Sequence, residues 1–293
     1  MEILYFNKNS VNNEPLDITI GAYDGIHDGH LAVINELINN KNHKTAVMTF
    51  NIHPDIYLKK RRDLGLIETK EEKEEIFSSL GLDYVIYLEK EILDLTYEDF
   101  NLYLKKLNVK RIVIGADFKY GKGALGDSTS LKKDFLVDIV SLVKDGSDKL
   151  SSSRIREALK NGDIKTVNSL LKHEFMASGN VVEGSHIGSS LGFKTANLIL
   201  DEKYHDLRYG VYKVKIKVNN DYYMGVANFG INPTFGGVDY PRLETHIINY
   251  NRDLYGKYIE VIFLDFLRDE KKFSSKDELM KQIKEDIKEI GEN

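Results

Sequence analysis

Apolar residues in the first half of the chain follow two periods that alternate along the sequence. The runs LDITIG, KTAVMTF, DYVIYL and RIVIG are typical of buried strands, and DFLVDIVSLV contains one more. Between them, KEEKEEIFSSL and EDFNLYLKKL have helical composition and spacing. Strands that alternate with helices favour a parallel sheet flanked by helices. We therefore predict an α/β first half, in which LDITIG is the first strand.

The pattern changes near residue 175. The run GVYKVKIKV, residues 210–218, places apolar side chains on one face and lysines on the other, as in an antiparallel strand with one wet face. YYMGVANFG, LETHIINY and YIEVIFLDF are further strands, separated by Gly, Asn, Asp and Pro clusters. We predict a small antiparallel β-barrel or sandwich. A terminal helix follows it, with an S-x-x-E capping box at Ser275 and Glu278.

The segment between the two patterns, SSSRIREALKNGDIKTVNSLLKHEF, favours one or two short amphipathic helices joined at NGD. The change from alternating strands and helices to period-two strands marks the expected domain boundary. We predict a first domain at residues 1–172, including the connecting helices, and a second at residues 173–293.

Composition narrows the classes of protein that fit. A chain of 293 residues suggests about two domains. The net charge of −5 argues against a broad nucleic-acid-binding surface, and the lack of cysteine excludes disulfides and thiolate metal sites. We identify neither a signal peptide nor an apolar run long enough to span a bilayer. We expect a cytoplasmic protein without nucleic-acid or membrane partners.

The first candidate site is GAYDGIHDGH, residues 21–30, at the junction of a strand and a helix. Ligands of open α/β sheets bind beyond the carboxyl ends of the strands, and helix N-termini attract phosphate. Glycines allow close approach of the backbone, and His27 and His30 could donate hydrogen bonds to phosphate oxygens. A metal pair or two surface histidines would be the alternatives.

Two further segments support a phosphorylated ligand. SSSRIR, residues 151–156, combines serine hydroxyls with two arginines at a helix start, which suits phosphate, although a helix cap with solvated arginines would look the same. IGADFKYGKGALGD, residues 114–127, follows a strand and combines glycines, aromatic residues and lysines. That loop suits an aromatic phosphorylated ligand, or it is an ordinary glycine-rich loop.

These segments resemble a known family. TIGAYDGIHDGH, TFNIHP, IGADFKYGKG and SSSRIR are similar to the nucleotidyltransferase half of prokaryotic bifunctional riboflavin kinase/FAD synthetases. GSHIGSSLGFKTANL, GVANFGINPTFGG, LETHIINYNRDLYGK and FLRDEKKF resemble its riboflavin kinase half, in the family's order. The resemblance covers nearly the whole chain. It implies an N-terminal Rossmann-like nucleotidyltransferase domain with a parallel sheet and a C-terminal riboflavin kinase-like small antiparallel β-barrel with a terminal helix.

The resemblance also implies an activity. The kinase half transfers the γ-phosphoryl group of ATP to riboflavin, giving FMN and ADP. The other half transfers AMP from ATP to FMN, giving FAD and pyrophosphate, with Mg²⁺ bound to the ATP. One alternative is an FMN adenylyltransferase whose kinase-like domain binds flavin but is inactive. Another is a flavin-responsive binding protein without turnover.

In the adenylyltransferase half, the resemblance assigns the stabilisation of charge at the ATP α-phosphate to His27 and His30. The residues expected to bind the ATP phosphates are Gly21, Asp24, Gly29, Ser151, Ser152, Arg154 and Arg156. The residues expected on the flavin side are Asp117, Phe118 and Tyr120. Tyr23 stands where the family usually has phenylalanine.

In the kinase half, the resemblance assigns the catalytic base to Glu244 and the Mg²⁺ and ATP ligands to Thr195 and Asn197. Without it, Glu244 would be a solvent-facing strand glutamate and TAN a turn. Gly184, Gly188 and Lys194 complete the predicted ATP site. The chain departs from the family at Ser189, usually arginine, and at Lys194, usually proline. Our hypothesis is that Lys194 supplies part of the missing positive charge; an exposed loop lysine is the alternative.

Overall fold

The computed structural model describes residues 1–58, 65–141, 143–145, 148–183, 195–200, 206–231 and 241–291. It contains two compact units, Met1–Ser152 and Ser153–Asn293. The predictions for Gly184, Gly188, Ser189 and Lys194 lie outside the described residues.

The first unit is built on a six-stranded parallel sheet. Its strands are β1 (Glu2–Phe6), β2 (Leu16–Ile20), β3 (Lys44–Phe50), β4 (Tyr84–Leu88), β5 (Val109–Gly115) and β6 (Leu136–Val140). The spatial order is β1-β4-β3-β2-β5-β6. Its helices are α1 (Asp28–Asn39), α2 (Pro54–Tyr57), α3 (Lys70–Ser79), α4 (Tyr97–Lys106) and α5 (Ser128–Leu131). The predicted α/β class is confirmed.

Both faces of this sheet are covered. Leu16, Ile18 and Ile20 of β2 pack in one apolar cluster with residues of α4. On the opposite face, Val47 and Val113 pack in a second cluster with residues of α1 and α3. Burial on both faces explains why a strand such as β4, with the sequence YVIYL, is a continuous apolar run rather than an alternating one.

LDITIG is not the first strand, contrary to the prediction. The run EILYF forms β1, which pairs with β4 at one edge of the sheet. Its residues are only half-buried or exposed, although ILYF is as apolar a run as those of the central strands. Strand β2 is therefore central rather than first, with β3 on one side and β5 on the other. In such a sheet the carboxyl ends of β2 and β5 flank the crevice where the strand order reverses.

The second unit is antiparallel throughout. It begins with α6 (Ser152–Asn161) and α7 (Ile164–Leu171), and it ends with α8 (Lys276–Gly291). Strands β7 (Lys144–Asp145) and β8 (Asp148–Lys149) form a short ribbon that belongs to the first unit. The strands of the barrel in the second unit are β9 (Met176–Asn180), β10 (Thr195–Ile199), β11 (Gly210–Val218), β12 (Asp221–Ile231), β13 (Pro241–Ile247) and β14 (Tyr258–Arg268). Their order is β10-β13-β12-β11-β14-β9. A bridge between Val182 and Asn197 nearly closes the barrel.

The alternation of β11 is confirmed. Val214, Ile216 and Val218 are buried in the barrel, whereas the lysines between them are half-buried on the other face. Lys215 forms an ion pair with Glu174 at 2.8 Å. The capping box of α8 differs from the prediction in one contact: the Glu278 backbone N–H donates to Ser275, but the Glu278 carboxylate accepts from Ser274.

The connecting helices pack within the second unit. In α7, the Asn168 side chain donates to the Phe263 carbonyl of β14 at 3.0 Å and accepts from the Phe175 backbone N–H at 2.7 Å. The side chains of α7 that face the core are Ile164, Val167, Leu170 and Leu171. The compact second unit thus begins before residue 173, and the functional boundary at residue 172 stays a prediction that truncation can test.

Over the part of the chain that the structure describes, no helix has both the length and the apolar character that crossing a membrane requires.

Candidate active sites

A cavity of about 280 Å³ opens at the carboxyl ends of β2, β5 and β6 in the first unit. It is therefore at the position where sheets of this kind bind ligands. The sequence-predicted residues among its walls are Gly21, His27, Gly29, His30, Asp117, Phe118, Ser151 and Ser152. Apolar walls are contributed by Val33, Val140, Val143 and Leu150.

His27 is the N-cap of α1. Its Nδ1 atom accepts hydrogen bonds from the backbone N–H groups of Gly29, at 3.1 Å, and His30, at 3.4 Å. An accepting Nδ1 carries no proton, so the ring proton of the neutral imidazole is on Nε2. The cap therefore fixes His27 as an N–H donor at the atom opposite the helix.

His30 is held in the reverse tautomer. Its Nδ1 lies 3.2 Å from the Gly25 carbonyl oxygen, which can only accept, so Nδ1 carries the proton. The two rings stack, with centroids 4.0 Å apart and planes 9° from parallel. Burial, and then the neighbouring His27, lower the pKa of His30 to about 3, against the opposing effects of Gly25 and Asp117. At neutral pH, His30 is therefore uncharged and has a lone pair on Nε2.

Two glycines in this turn make room for aromatic rings. A Cβ atom on Gly29 would lie 3.0 Å from the His27 ring, and one on Gly21 would lie 2.9 Å from the Tyr23 ring. Either side chain would displace a ring on which the site depends. The glycine content of this segment thus reflects close packing of rings against the backbone as well as access for a ligand.

Tyr23 lies beneath the histidine pair. Its ring centroid is 5.0 Å from that of His30, and its hydroxyl forms a 2.6 Å hydrogen bond with Thr19. Burial raises the pKa of Tyr23, so the phenol stays protonated at physiological pH. The Tyr23 hydroxyl therefore has its hydrogen-bond partner inside the unit.

Asp24, predicted to bind phosphate, is only 2% exposed. Its carboxylate accepts from the backbone N–H of Ile67 at 2.8 Å, and its carbonyl oxygen accepts from the Ser152 hydroxyl at 2.5 Å. Both contacts attach the turn to neighbouring segments of the first unit. These contacts favour a role for Asp24 in shaping the turn.

The predicted flavin-side residues divide between the cavity and its support. Asp117 and Phe118 line the cavity. Tyr120 is 8% exposed, its ring stacks on Phe118 at 5.7 Å, and its hydroxyl donates to Asn101 at 2.7 Å. In this arrangement Tyr120 supports Phe118 from behind.

The predicted phosphate-binding arginines are on α6, in the second unit. Arg156 is 5% exposed, and its Nε atom lies 3.3 Å from the Asp206 carboxylate. The same carboxylate is 3.1 Å from the Lys160 ammonium group. Arg156 is thus held in a buried ion pair, which favours a structural role for it.

The second candidate site lies on three neighbouring barrel strands. Asn197 of β10 pairs with Glu244 of β13, which in turn pairs with Asn228 of β12. Directly paired residues point to the same face of a sheet, so a carboxylate is flanked by two amides. Burial raises the pKa of Glu244, against the opposing effects of a hydrogen bond from Thr195 and the charge of Arg242. The three predicted residues Thr195, Asn197 and Glu244 are therefore brought together.

These side chains present a hydroxyl, an amide and a carboxylate, the hard oxygen donors that divalent cations such as Mg²⁺ prefer. They fit a cation that keeps waters and substrate oxygens among its ligands. Elsewhere in the described ranges, no group of three or more histidine, cysteine or carboxylate side chains forms a metal-binding cluster.

Sequence reasoning missed two residues at these sites. Glu68 is fully buried, and its carboxylate accepts from the Ile26 backbone N–H at 2.9 Å, directly before the histidine cap. Asn228 flanks Glu244 and donates to Glu270 at 3.3 Å. Only the position of Asn228 within GVANFGINPTFGG could have indicated it; Glu68 lies outside every quoted motif.

Known proteins match both halves. A family profile for FAD synthetase matches residues 9–154, and one for riboflavin kinase matches residues 171–293. A protein of Listeria monocytogenes named bifunctional riboflavin kinase/FMN adenylyltransferase is 34% identical over 98% of this chain and 96% of its own length. One of the same name from Escherichia coli K12 is 33% identical over 96% and 93%.

A solved structure from Streptococcus pneumoniae, described as a macrolide-efflux protein, is 33% identical. It covers 98% of this chain and 97% of its own, with a TM-score of 0.86. The two chains therefore share their fold over nearly all of the compared length.

Proposed function

This chain belongs to the bifunctional riboflavin kinase/FMN adenylyltransferase family, and we propose that it makes FMN and FAD. Its second unit phosphorylates riboflavin with ATP to give FMN and ADP. Its first unit transfers AMP from a second ATP to FMN, giving FAD and pyrophosphate.

The observation that supports this proposal most strongly is the presence of two separate sites with different chemistry. The cavity of the first unit has two stacked histidines at a helix N-terminus and a carboxylate only at Asp117 among its predicted residues. The barrel face has a carboxylate with a raised pKa, Glu244, between two amides. The first set suits a reaction that needs charge stabilisation, and the second suits one that needs a base.

Adenylyl transfer needs no general base, because the attacking FMN phosphate is already an anion. The oxygen of that phosphate attacks the ATP α-phosphorus, and the bond to pyrophosphate breaks. The catalytic task is alignment and the stabilisation of charge on the α-phosphate oxygens. We assign it to His27 and His30, with Gly21, Gly29, Ser151 and Ser152 on the phosphate side and Asp117 and Phe118 on the flavin side.

The two histidines have different roles in this mechanism. His27 donates from Nε2 without carrying a net charge, because its cap holds the other nitrogen deprotonated. His30 is neutral before ATP binds, and its Nε2 becomes a donor only by gaining a proton. The charge of a triphosphate beside His30 would raise its pKa and favour that protonation.

Phosphorylation of riboflavin does need a base, since the nucleophile is a neutral hydroxyl. The oxygen of the riboflavin hydroxyl attacks the γ-phosphorus of ATP, and ADP leaves. Glu244 takes the proton of that hydroxyl as the new bond forms. The raised pKa of Glu244 makes it a stronger base than an ordinary glutamate. Thr195 and Asn197, on the neighbouring strand, contact ATP.

We propose Mg²⁺ as the divalent cation of both reactions, with Thr195 and Asn197 as its protein ligands in the kinase unit. When bound, it supplies positive charge shared among the phosphate oxygens. The lack of cysteine supports a reducing, cytoplasmic location. Arg154 and Arg156 remain predicted phosphate contacts, and the hydrogen bonds of Asp24 favour a role in shaping the turn.

The proposed function is tested by incubating the protein with riboflavin, ATP and Mg²⁺ and separating the flavins by chromatography. The proposal predicts FMN first and FAD later. If FAD forms only from supplied FMN, the protein is an FMN adenylyltransferase without kinase activity. If the protein binds flavin but forms no product, it is a flavin-binding protein without turnover.

A further inference from the structure

The turn that positions the histidine pair has an unfavourable backbone conformation. Tyr23 has a φ of 47° and Gly25 a φ of 72°. The first is uncommon for a bulky residue that is not glycine, and it persists only where surrounding contacts hold it. The position of His27 therefore depends on contacts outside the turn itself.

Two buried carboxylates provide such contacts in a reciprocal arrangement. Asp24, within the turn, accepts from the backbone N–H of Ile67, while Glu68, next to Ile67, accepts from the backbone N–H of Ile26. Each segment thus caps the other. Lys73 of α3 is buried beside both carboxylates, whose charges oppose the lowering of its pKa by burial.

Glu68 contacts the turn at a decisive place. Ile26 directly precedes His27, and the Ile26 N–H group is held at 2.9 Å from Glu68. The next N–H groups along the chain are capped by the His27 ring itself. A shift of Ile26 would therefore move the ring that caps α1, and with it the stacked His30. Displacements of about 1 Å in a catalytic group can cost roughly 10²-fold in rate.

We propose that Glu68 is a positioning residue for adenylyl transfer, acting through the Ile26 backbone to fix His27. This inference rests on the proposed adenylyltransferase activity of the first unit. It does not require Glu68 to touch substrate, since Glu68 is not among the residues lining the cavity.

The test compares Glu68→Gln with Glu68→Met in the full-length protein. Glutamine keeps an oxygen that can accept from Ile26, whereas methionine keeps the volume and removes the acceptor. We expect Glu68→Met to lower the kcat of FAD synthesis from FMN roughly 10-fold to 10²-fold, with a smaller change in the KM for ATP. Glu68→Gln should remain within about threefold of the parent, and riboflavin phosphorylation by the second unit should be unchanged in both.

Glu72→Met is the matched control. Glu72 lies in the first turn of α3, just after Glu68 in the sequence, and its carboxylate accepts from the Thr69 backbone N–H in a capping box rather than from the turn. It should affect stability without lowering kcat. Thermal unfolding of each variant, with assays well below its midpoint, separates loss of fold from loss of positioning.

The outcomes separate the inference from its premise. A parent protein without FAD synthesis would refute the proposed function. A parent with FAD synthesis and a folded Glu68→Met variant of equal kcat would refute only the role of Glu68. An equal loss of kcat in Glu68→Gln and Glu68→Met would also refute the positioning role, because the activity would then depend on the charge of Glu68 and not on its hydrogen bond to Ile26. If Glu68→Met does not fold, a Glu68→Gln variant with parental kcat supports the role, and one with a kcat lowered tenfold overturns it.

Discussion

Substitution of His27 should reveal two separable functions of one side chain. His27 caps α1 through Nδ1 and presents a donor at Nε2. His27→Ala removes both functions. His27→Asn removes the imidazole donor but supplies an amide oxygen, and asparagine is among the best N-cap residues.

The expected magnitudes follow from these contacts. Loss of an N-cap typically costs about 1 kcal/mol, which would lower the unfolding midpoint of a unit of this size by about 2–4 °C. Helix α1 should still form, because Val33, Ile34 and Leu37 bury its apolar face. Loss of a preorganised donor to the transition state costs about 10²–10³ in rate.

The assays are thermal unfolding and the rate of FAD formation from supplied FMN. We expect His27→Ala to be both less stable and slower, and His27→Asn to be as slow but close to the parent in stability. Riboflavin phosphorylation serves as the internal control and should not change. A fast His27→Asn variant would refute the donor role, and equal stability of all three proteins would refute the capping role.

Three further predictions concern the second unit. Glu244→Gln should lower FMN formation by about 10²–10⁴-fold while FAD formation from FMN continues. Because burial raises the pKa of Glu244 and only the ionised form accepts a proton, the acid limb of the parent's kinase pH profile should lie above about 4.3, the ordinary glutamate pKa. Retained kinase turnover in Glu244→Gln, or an acid limb at or below that pH, would contradict the role of Glu244 as the base. A fragment of residues 153–293 should fold and phosphorylate riboflavin. A fragment of residues 173–293 should unfold at a lower temperature, because it lacks the Asn168 contacts. Equal unfolding midpoints of the two fragments would mean that α6 and α7 do not contribute to the core of the barrel. Lys194→Ala should raise the kinase KM for ATP and weaken its salt dependence, since ionic contacts are screened; unchanged ATP affinity at low salt would make Lys194 a bystander.

The sequence predicted those parts of the fold whose signal is local. Burial of β4 on both faces produces a continuous apolar run, and the one wet face of β11 produces strict alternation. Edge strand β1 was missed although ILYF is an apolar run, and it pairs with the sheet on one side only.

The parts of the sites that depend on distant partners could not be predicted. Glu68 and Ile26 are 42 residues apart, so nothing in the local pattern of either residue indicates their hydrogen bond. The buried ion pair between Arg156 and Asp206 likewise joins distant segments, so nothing within SSSRIR itself indicates it. The tautomers of His27 and His30 follow from backbone contacts that only the folded turn provides.

If one chain makes FMN and FAD at two separate sites, variants that each lack one activity should complement each other in a mixture. Supplied with riboflavin, ATP and Mg²⁺, His27→Asn should accumulate FMN, and Glu244→Gln should make almost no FMN or FAD. A mixture of the two should form FAD at a rate near that of the parent, because FMN from one variant is the substrate of the other. A mixture that forms no FAD, or a Glu244→Gln variant that makes FAD from riboflavin unaided, would show that the two activities do not belong to two separate sites.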